Sequence, residues 1–373
     1  MFKICTIIGT RPEIIKLSSL IKKLDRFFDH NIVHTGQNYD YELNQIFFED
    51  LKIRKPDYFL NSADVNANKT ISKIFFKFDE ILEKIKPDAV LILGDTNSGL
   101  SSIVAKKRKL QVFHIEAGNR SFDYKVPEEL NRKIIDHSSD INFTYTDIAK
   151  NYLISEGIPA DRIIKVGSPM KEVINQNSKT INKSNILKKL GLKKNKFFLV
   201  SFHREENVDN KKKLTTFLNL LEWLSENFPD KIIVSTHYRT QHRLDKLNEK
   251  YKKTKKKYAN KIVFLKPFNF SDYVKLQKNC NIILSDSGTL TEETSILKLK
   301  AIKLRASHER PEGMEQGTTI MCDLNISKIL TAIKILNKTK ISYPVDDYNL
   351  DNFSDKIVKN ITSYLDYSIS KKV

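Results

Sequence analysis

A short apolar run that stops at glycine or aspartate, followed at once by an apolar pattern of helical period, recurs along this chain and constrains its fold more than any other feature. KICTIIG (3–9) runs into TRPEIIKLSSLIKKL, in which Ile14, Ile15, Leu17, Leu20, Ile21 and Leu24 fall at helical spacing. NIVHTG (31–36) ends at Gly36 and precedes Gln37 and the helical pattern YELNQIFFEDL. A long amphipathic pattern spans 69–86, DAVLILGD (88–95) ends at Gly94 and Asp95, and a helix is predicted over 98–108. The runs LQVFHI, INFTYT (141–146) and RIIKVGS (162–168) continue the alternation. Strands alternating with helices predict a parallel sheet covered on both faces. In such a sheet ligands sit beyond the carboxyl ends of the strands, so Asp95 and Glu116 are placed at one crevice.

A second series follows, with strands predicted at 197–202, 231–236, 261–265, 281–285 and 300–304. Between the two series, 175–195 (NQNSKTINKSNILKKLGLKKN) is polar and rich in Lys and Asn, the composition of a linker. The expected organisation is therefore a first Rossmann-like domain over 1–174, a linker over 175–195 and a second Rossmann-like domain over 196–350. An amphipathic C-terminal helix within 351–373 is expected to pack back on the first domain. The fold class is α/β, with two Rossmann-like domains expected to face each other across a cleft.

The stretch His114–Arg132 (HIEAGNRSFDYKVPEELNR) concentrates chemistry. It holds four carboxylates, Glu116, Asp123, Glu128 and Glu129, and three cations, Arg120, Lys125 and Arg132, where a strand end, a loop and a helix start meet. That is the composition of a ligand site. Pro127 followed by two glutamates is also ordinary helix-start chemistry, and Glu128 and Arg132 stand at ion-pair spacing, so a well-capped helix is the second reading of this window alone. Arg11 at the first strand end and Lys16 on the helix after it offer an anion a helix N-terminus and two cations. SDSG (285–288) at a strand-to-helix turn offers backbone N–H groups and a hydroxyl, a phosphate seat or a plain helix cap.

Composition excludes several classes. With 40% hydrophobic and 29% charged residues over 373 positions, the chain is globular and long enough for two cores. No uncharged apolar run approaches the length that spans a bilayer, and the apolar run near Met1 reads as a core strand, not a signal peptide. Cys5, Cys280 and Cys322 are far apart in apolar surroundings and read as buried thiols in a reducing compartment, which points to the cytoplasm. Histidine spacing supports no metal site, and neither GxGxxG nor a Walker loop is present. The net charge of +19 follows a general Lys/Asn/Ile bias, and no nucleic-acid-binding module accompanies it.

Eight blocks in order, GTRPEIIK (9–16), TGQN (35–38), GDTNS (94–98), HIEAGNRSFDYKVPEELNR (114–132), VGSPM (166–170), FHREEN (202–207), SDSGTLTEE (285–293) and ERPEG (309–313), resemble the non-hydrolysing UDP-N-acetylglucosamine 2-epimerase family. The resemblance implies a glycosyltransferase-B type fold, UDP held by the second domain, the sugar held by the first, and no metal or nicotinamide cofactor. It implies a cytoplasmic homodimer that binds a UDP-sugar and neither nucleic acid nor membrane. Matched by motif, Asp95, Glu116 and Glu128 are the implied acid/base residues. Arg11, Lys16, His203, Ser287 and Gly288 match diphosphate positions, with His203 among the catalytic candidates; Glu293 matches the ribose position, and Arg132 the one beside the sugar. Gln37, Arg120, Asn131, Arg239 and Glu312 complete the implied substrate contacts. The variant GNRSFDYKVPEELNR, with GSPM and SHERPEGME, resembles the subgroup that converts UDP-2-acetamido-2,6-dideoxy-L-talose to UDP-N-acetyl-L-fucosamine for capsule or O-antigen synthesis. Phe122 or Val126 would then meet the sugar's methyl group. UDP-N-acetylglucosamine and a UDP-2,3-diacetamido uronic acid are the alternatives, Lys125 being a cation for the latter. A retaining glycosyltransferase on the same fold is a further alternative, and a basic binding protein one from another class.

Overall fold

From Ile4 to Ile8 the first strand is buried, as a central strand in a helix-covered parallel sheet must be. The computed structural model of the chain describes residues 1–37, 41–124, 126–339 and 345–365, with 41–44 described by backbone alone. Two compact units result, Met1–Gln176 with Asp346–Val373, and Asn177–Val345.

Seven strands are described in the first unit: β1 (Lys3–Ile8), β2 (Asp29–His34), β3 (Tyr58–Phe59), β4 (Ala89–Leu93), β5 (Gln111–Ala117), β6 (Ile141–Thr144) and β7 (Ile163–Lys165). They pair in parallel in the order β3-β2-β1-β4-β5-β6-β7. The chain moves outward from β1 to β3 and then resumes on the other side, so the order reverses between β1 and β4. Side chains of the central strands meet helix side chains such as Phe78, Leu82, Val104 and Ile135 on one face. The helix Arg11–Phe27 packs on the segment Met170–Gln176 and on the returning C-terminal helix Phe353–Tyr364. Phe353, Ile357 and Ile361, spaced four apart, are the buried stripe of that last helix. Lys23 to Asp355 (2.6 Å) and the Ser354 amide to Glu172 (2.9 Å) fix its first turn. Residues 366–373 lie outside the described residues.

The second unit carries β8 (Phe197–Ser201), β9 (Lys231–Ser235), β10 (Ile262–Leu265), β11 (Ile282–Ser285), β12 (Ala301–Lys303) and β13 (Ile320–Met321), in the parallel order β10-β9-β8-β11-β12-β13. Phe198 and Val200 face one core, Phe197 and Leu199 the other, which is the period of two expected of a strand buried on both sides. Here the order reverses between β8 and β11.

The segment expected to be a linker, 175–195, is not one. It forms the helices Ser178–Lys183 and Ile186–Lys189, buries Ile181 and Ile186, and packs Leu187, Leu190 and Leu192 on the second unit's core. Ser184 bonds to Asp272, and Lys275 reaches the Asn182 carbonyl. Scattered apolar residues among lysines are enough to cover a sheet face when the lysines snorkel outward. The two edge strands β3 and β13, of two residues each, were not anticipated. No helix among the described residues is long and apolar enough to cross a membrane.

Candidate active site

In the first unit the turns after β1 and β4 meet at the reversal of strand order. Gly9 is required there, because a Cβ would collide with the hydroxyls of Ser98 and Thr35. The turn is closed by Glu13, a buried carboxylate that accepts from the amides of Gly9 (2.5 Å) and Thr10 (3.0 Å) and from the Thr96 hydroxyl (2.6 Å). Burial pushes the Glu13 carboxyl up to about 7, against its hydrogen bonds and with help from the nearby Asp95 charge.

Asp95 follows Gly94 in the β4 turn. Its Oδ2 receives the Arg132 guanidinium at 2.8 Å from Nε and 2.7 Å from Nη2, and Asn131 Nδ2 donates to its carbonyl at 2.9 Å. Both partners stand on the helix Pro127–Ser138. Glu116 lies one strand away. The pairing of β5 with β6 slips between Ile115 and Ala117, and Glu116 takes φ +69 in this bulge. A left-handed conformation is strained for glutamate, and bulges re-aim side chains at sites. The re-aimed carboxylate meets Lys16 at 2.5 Å, the Tyr145 hydroxyl at 3.3 Å and Asn119 Nδ2 at 3.4 Å. Lys16 is 3% exposed and lies 5.5 Å from the centre of the Tyr145 ring. Arg11 stacks over Phe47 at 5.7 Å, Gln37 stands beside Gly9, and Glu128 is half-buried in the first turn of the helix that carries Arg132.

Arg120 is placed differently from its expected role. Its buried guanidinium is engaged by Asp136 (2.7 Å) and by Glu156 through two bonds (2.7 and 2.6 Å). The hydrogen bonds from Arg120 hold the Glu156 carboxyl down at about 2. Asp136 also accepts from Gly118 and pairs with His114 at 2.8 Å, and the other His114 nitrogen contacts the Gly94 carbonyl at 2.9 Å. Arg120 thus belongs to the support beneath β4 and β5. Of the residues suggested for a sugar methyl group, Val126 is buried, whereas Phe122 is 62% exposed with its ring edge-on to Tyr152. Lys125 lies outside the described residues.

The second unit builds its site at its own reversal point. His203 follows β8, and Asp286 follows β11. The buried Asp286 carboxylate accepts from the amides of His203 (3.0 Å) and Arg204 (2.9 Å) and from Asn207 (3.1 Å), and it meets His203 Nδ1 at 3.0 Å. Burial alone would raise its pKa; the adjacent His203 and the donors hold it below the usual carboxylate range. Ser287 Oγ is 2.9 Å from Thr289 Oγ1, which donates to Glu293 at 3.2 Å, and Gln277 donates to Glu293 at 2.6 Å. Gly288 is irreplaceable by position, since a Cβ would strike the Glu309 carboxylate and stand 3.0 Å from both Arg204 and Arg310. Behind it lies a buried ionic cluster in which Glu309 pairs with Arg305 and Arg310, and Arg310 with Glu292. Glu312 is buried at the start of the short helix Glu312–Glu315. Arg239 is exposed and pairs with Glu205 and Asp209.

Sequence reasoning did not single out Glu13, Asp286 or Glu309. All three are carboxylates turned inward onto turn amides or arginines, and a motif does not distinguish them from a cap facing solvent. The capping-box spacing from Thr10 to Glu13 was the one available signal.

A family model described as UDP-N-acetylglucosamine 2-epimerase matches residues 22–362. A solved UDP-N-acetylglucosamine 2-epimerase from Rickettsia bellii is 50% identical, covers 100% of this chain and 99% of its own, and superposes with a TM-score of 0.91. The Methanocaldococcus jannaschii UDP-GlcNAc 2-epimerase, solved with UDP-GlcNAc and UDP, is 37% identical, with 97% and 100% coverage and a TM-score of 0.90. The UDP-2,3-diacetamido-2,3-dideoxy-D-glucuronate 2-epimerase of Pseudomonas aeruginosa is 31% identical over 86% of this chain and 88% of its own. The α/β architecture and these matches define a UDP-sugar 2-epimerase, an isomerase acting on carbohydrate. The chain belongs to the UDP-N-acetylglucosamine 2-epimerase family.

Proposed function

We propose that the enzyme inverts C2 of UDP-N-acetylglucosamine by anti elimination of UDP to a 2-acetamidoglycal, followed by re-addition of UDP with the opposite C2 configuration. The observation that carries this reading is the paired arrangement at the first unit's reversal point, where Asp95 and Glu116 each stand on a cation, Arg132 and Lys16 respectively. Removal and return of a C2 proton needs carboxylates fixed in place. Departure of a diphosphate needs positive charge where negative charge develops, and Lys16 and Arg11 supply it. Glu128 is the third acid/base candidate. In the second unit His203 and the Ser287–Gly288 amides are assigned to the diphosphate and Glu293 to the ribose hydroxyls, which suit a carboxylate acceptor.

The names of the relatives favour this substrate over the 6-deoxy sugar anticipated from sequence. Conversion of UDP-2-acetamido-2,6-dideoxy-L-talose to UDP-N-acetyl-L-fucosamine is the second reading, favoured by the exposed Phe122 ring in the GNRSFDYKVPEELNR loop. The family resemblance further supports a cytoplasmic homodimer serving capsule or O-antigen synthesis, which light scattering and a gene-deletion polysaccharide profile would check. The deciding experiment incubates the enzyme in D2O with each nucleotide sugar and follows C2 by NMR. Deuterium at C2 and a C2 epimer from UDP-N-acetylglucosamine are the expected result. Turnover of the L-fucosamine compound alone replaces the substrate, and exchange with neither removes both readings.

A further inference from the structure

We propose that Glu129, a residue outside the acid/base set, is a positioning residue that fixes Asp95 through Arg132 and in the same act clamps the turn that presents Phe122. Its side chain is fully buried and has four donors around it. Glu129 Oε2 accepts from the Ser121 amide and hydroxyl, both at 2.9 Å, and from Arg132 Nη1 at 2.9 Å, while Oε1 accepts from the Phe122 amide at 3.1 Å. The Arg132 guanidinium is therefore held between two carboxylates, Glu129 on one edge and Asp95 on the other.

Both contacts constrain conformations that the chain would not adopt unaided. Phe122 takes φ +53, an outlier for a bulky side chain, and the Glu129 bond to its amide holds it there. Arg132 without Glu129 keeps its charge but loses the Nη1 contact opposite Asp95, and can pivot on the one Asp95 oxygen that Nε and Nη2 share. Glu129 touches neither C2 nor the diphosphate in this scheme; it sets where Asp95 stands.

The inference rests on Asp95 being an acid/base group of the proposed reaction. Its test compares kcat and KM of the full-length wild type, E129Q, R132K, E129Q/R132K and D95N on the nucleotide sugar that the wild type turns over. E129Q is expected to lower kcat by about 10- to 100-fold with KM within about 3-fold, the size of effect that a misplaced catalytic group produces. The double variant is expected to be no slower than the slower single one, because both changes break one relay. Wild-type kcat in E129Q, or losses that multiply in the double variant, overturns the relay. D95N turning over at the wild-type rate removes the reading of Asp95 itself, whereas an inactive D95N beside a fully active E129Q removes the relay alone. Should E129Q fail to fold, E129D keeps the charge on a side chain one methylene shorter, and the same kcat loss and the same non-multiplying cycle with R132K decide the matter.

Discussion

Glu13 and Arg120 show how far burial changes what a charged residue is for. Glu13 has an ordinary value near 4.5 and is raised to about 7 in the fold, so the folded chain binds the extra proton between those limits. Its contribution to stability therefore falls as pH rises from about 4.5 to 7 and is level above. Relative to E13Q, the wild type is expected to lose about 3 kcal/mol between pH 4.5 and pH 8, measured by urea unfolding of both proteins at each pH. A constant difference would show that Glu13 ionises normally. Arg120 makes the opposite case. R120M would leave the buried Asp136 with His114 and the Gly118 amide but no guanidinium, and Glu156 without its two-bond partner, and is expected to destabilise by about 3–5 kcal/mol in thermal or urea melts, with KM of the folded fraction unchanged. A raised KM at undiminished stability would restore Arg120 to the substrate. Sequence showed Arg120 as a charge near a strand end and did not single out Glu13; it did not show which way either side chain turns.

At the scale of elements, the alternation of apolar runs and helical patterns was sufficient to place the long central strands, because a strand buried on both faces must be nearly continuous in hydrophobicity. It failed at β3 and β13, whose two paired residues carry no period to read. It failed again over 175–195, where Lys and Asn dominate composition while Ile181 and Ile186 decide the packing. Limited trypsin digestion separates the two descriptions. The lysines of 179–189 are expected to resist cleavage in the native enzyme and to become early sites in I181D/I186D, whereas a true linker would be cut first in both. The bulge at Glu116 belongs to this scale as well: β5 reads as an unbroken strand, and only its pairing with β6 reveals the slipped register.

Across the whole molecule, each unit has its candidate residues at the turns around the reversal of its own strand order, between β1 and β4 and between β8 and β11. The second unit is one uninterrupted stretch, Asn177–Val345, with cores on both faces of its sheet. Expressed alone, that stretch is expected to fold cooperatively and to bind UDP by calorimetry, and G288A within it to weaken UDP binding at least 10-fold, since the added methyl displaces the turn from Glu309. The first unit is discontinuous and takes in the helix Phe353–Tyr364 from the far end of the chain. Domains emerge from the ribosome in order, and a unit that borrows its last helix cannot finish when its own first residues appear. The unit that holds Asp95 and Glu116 therefore waits for the second unit, and a product released early from translation would hold the complete second unit and the first sheet without the helix that packs on Arg11–Phe27.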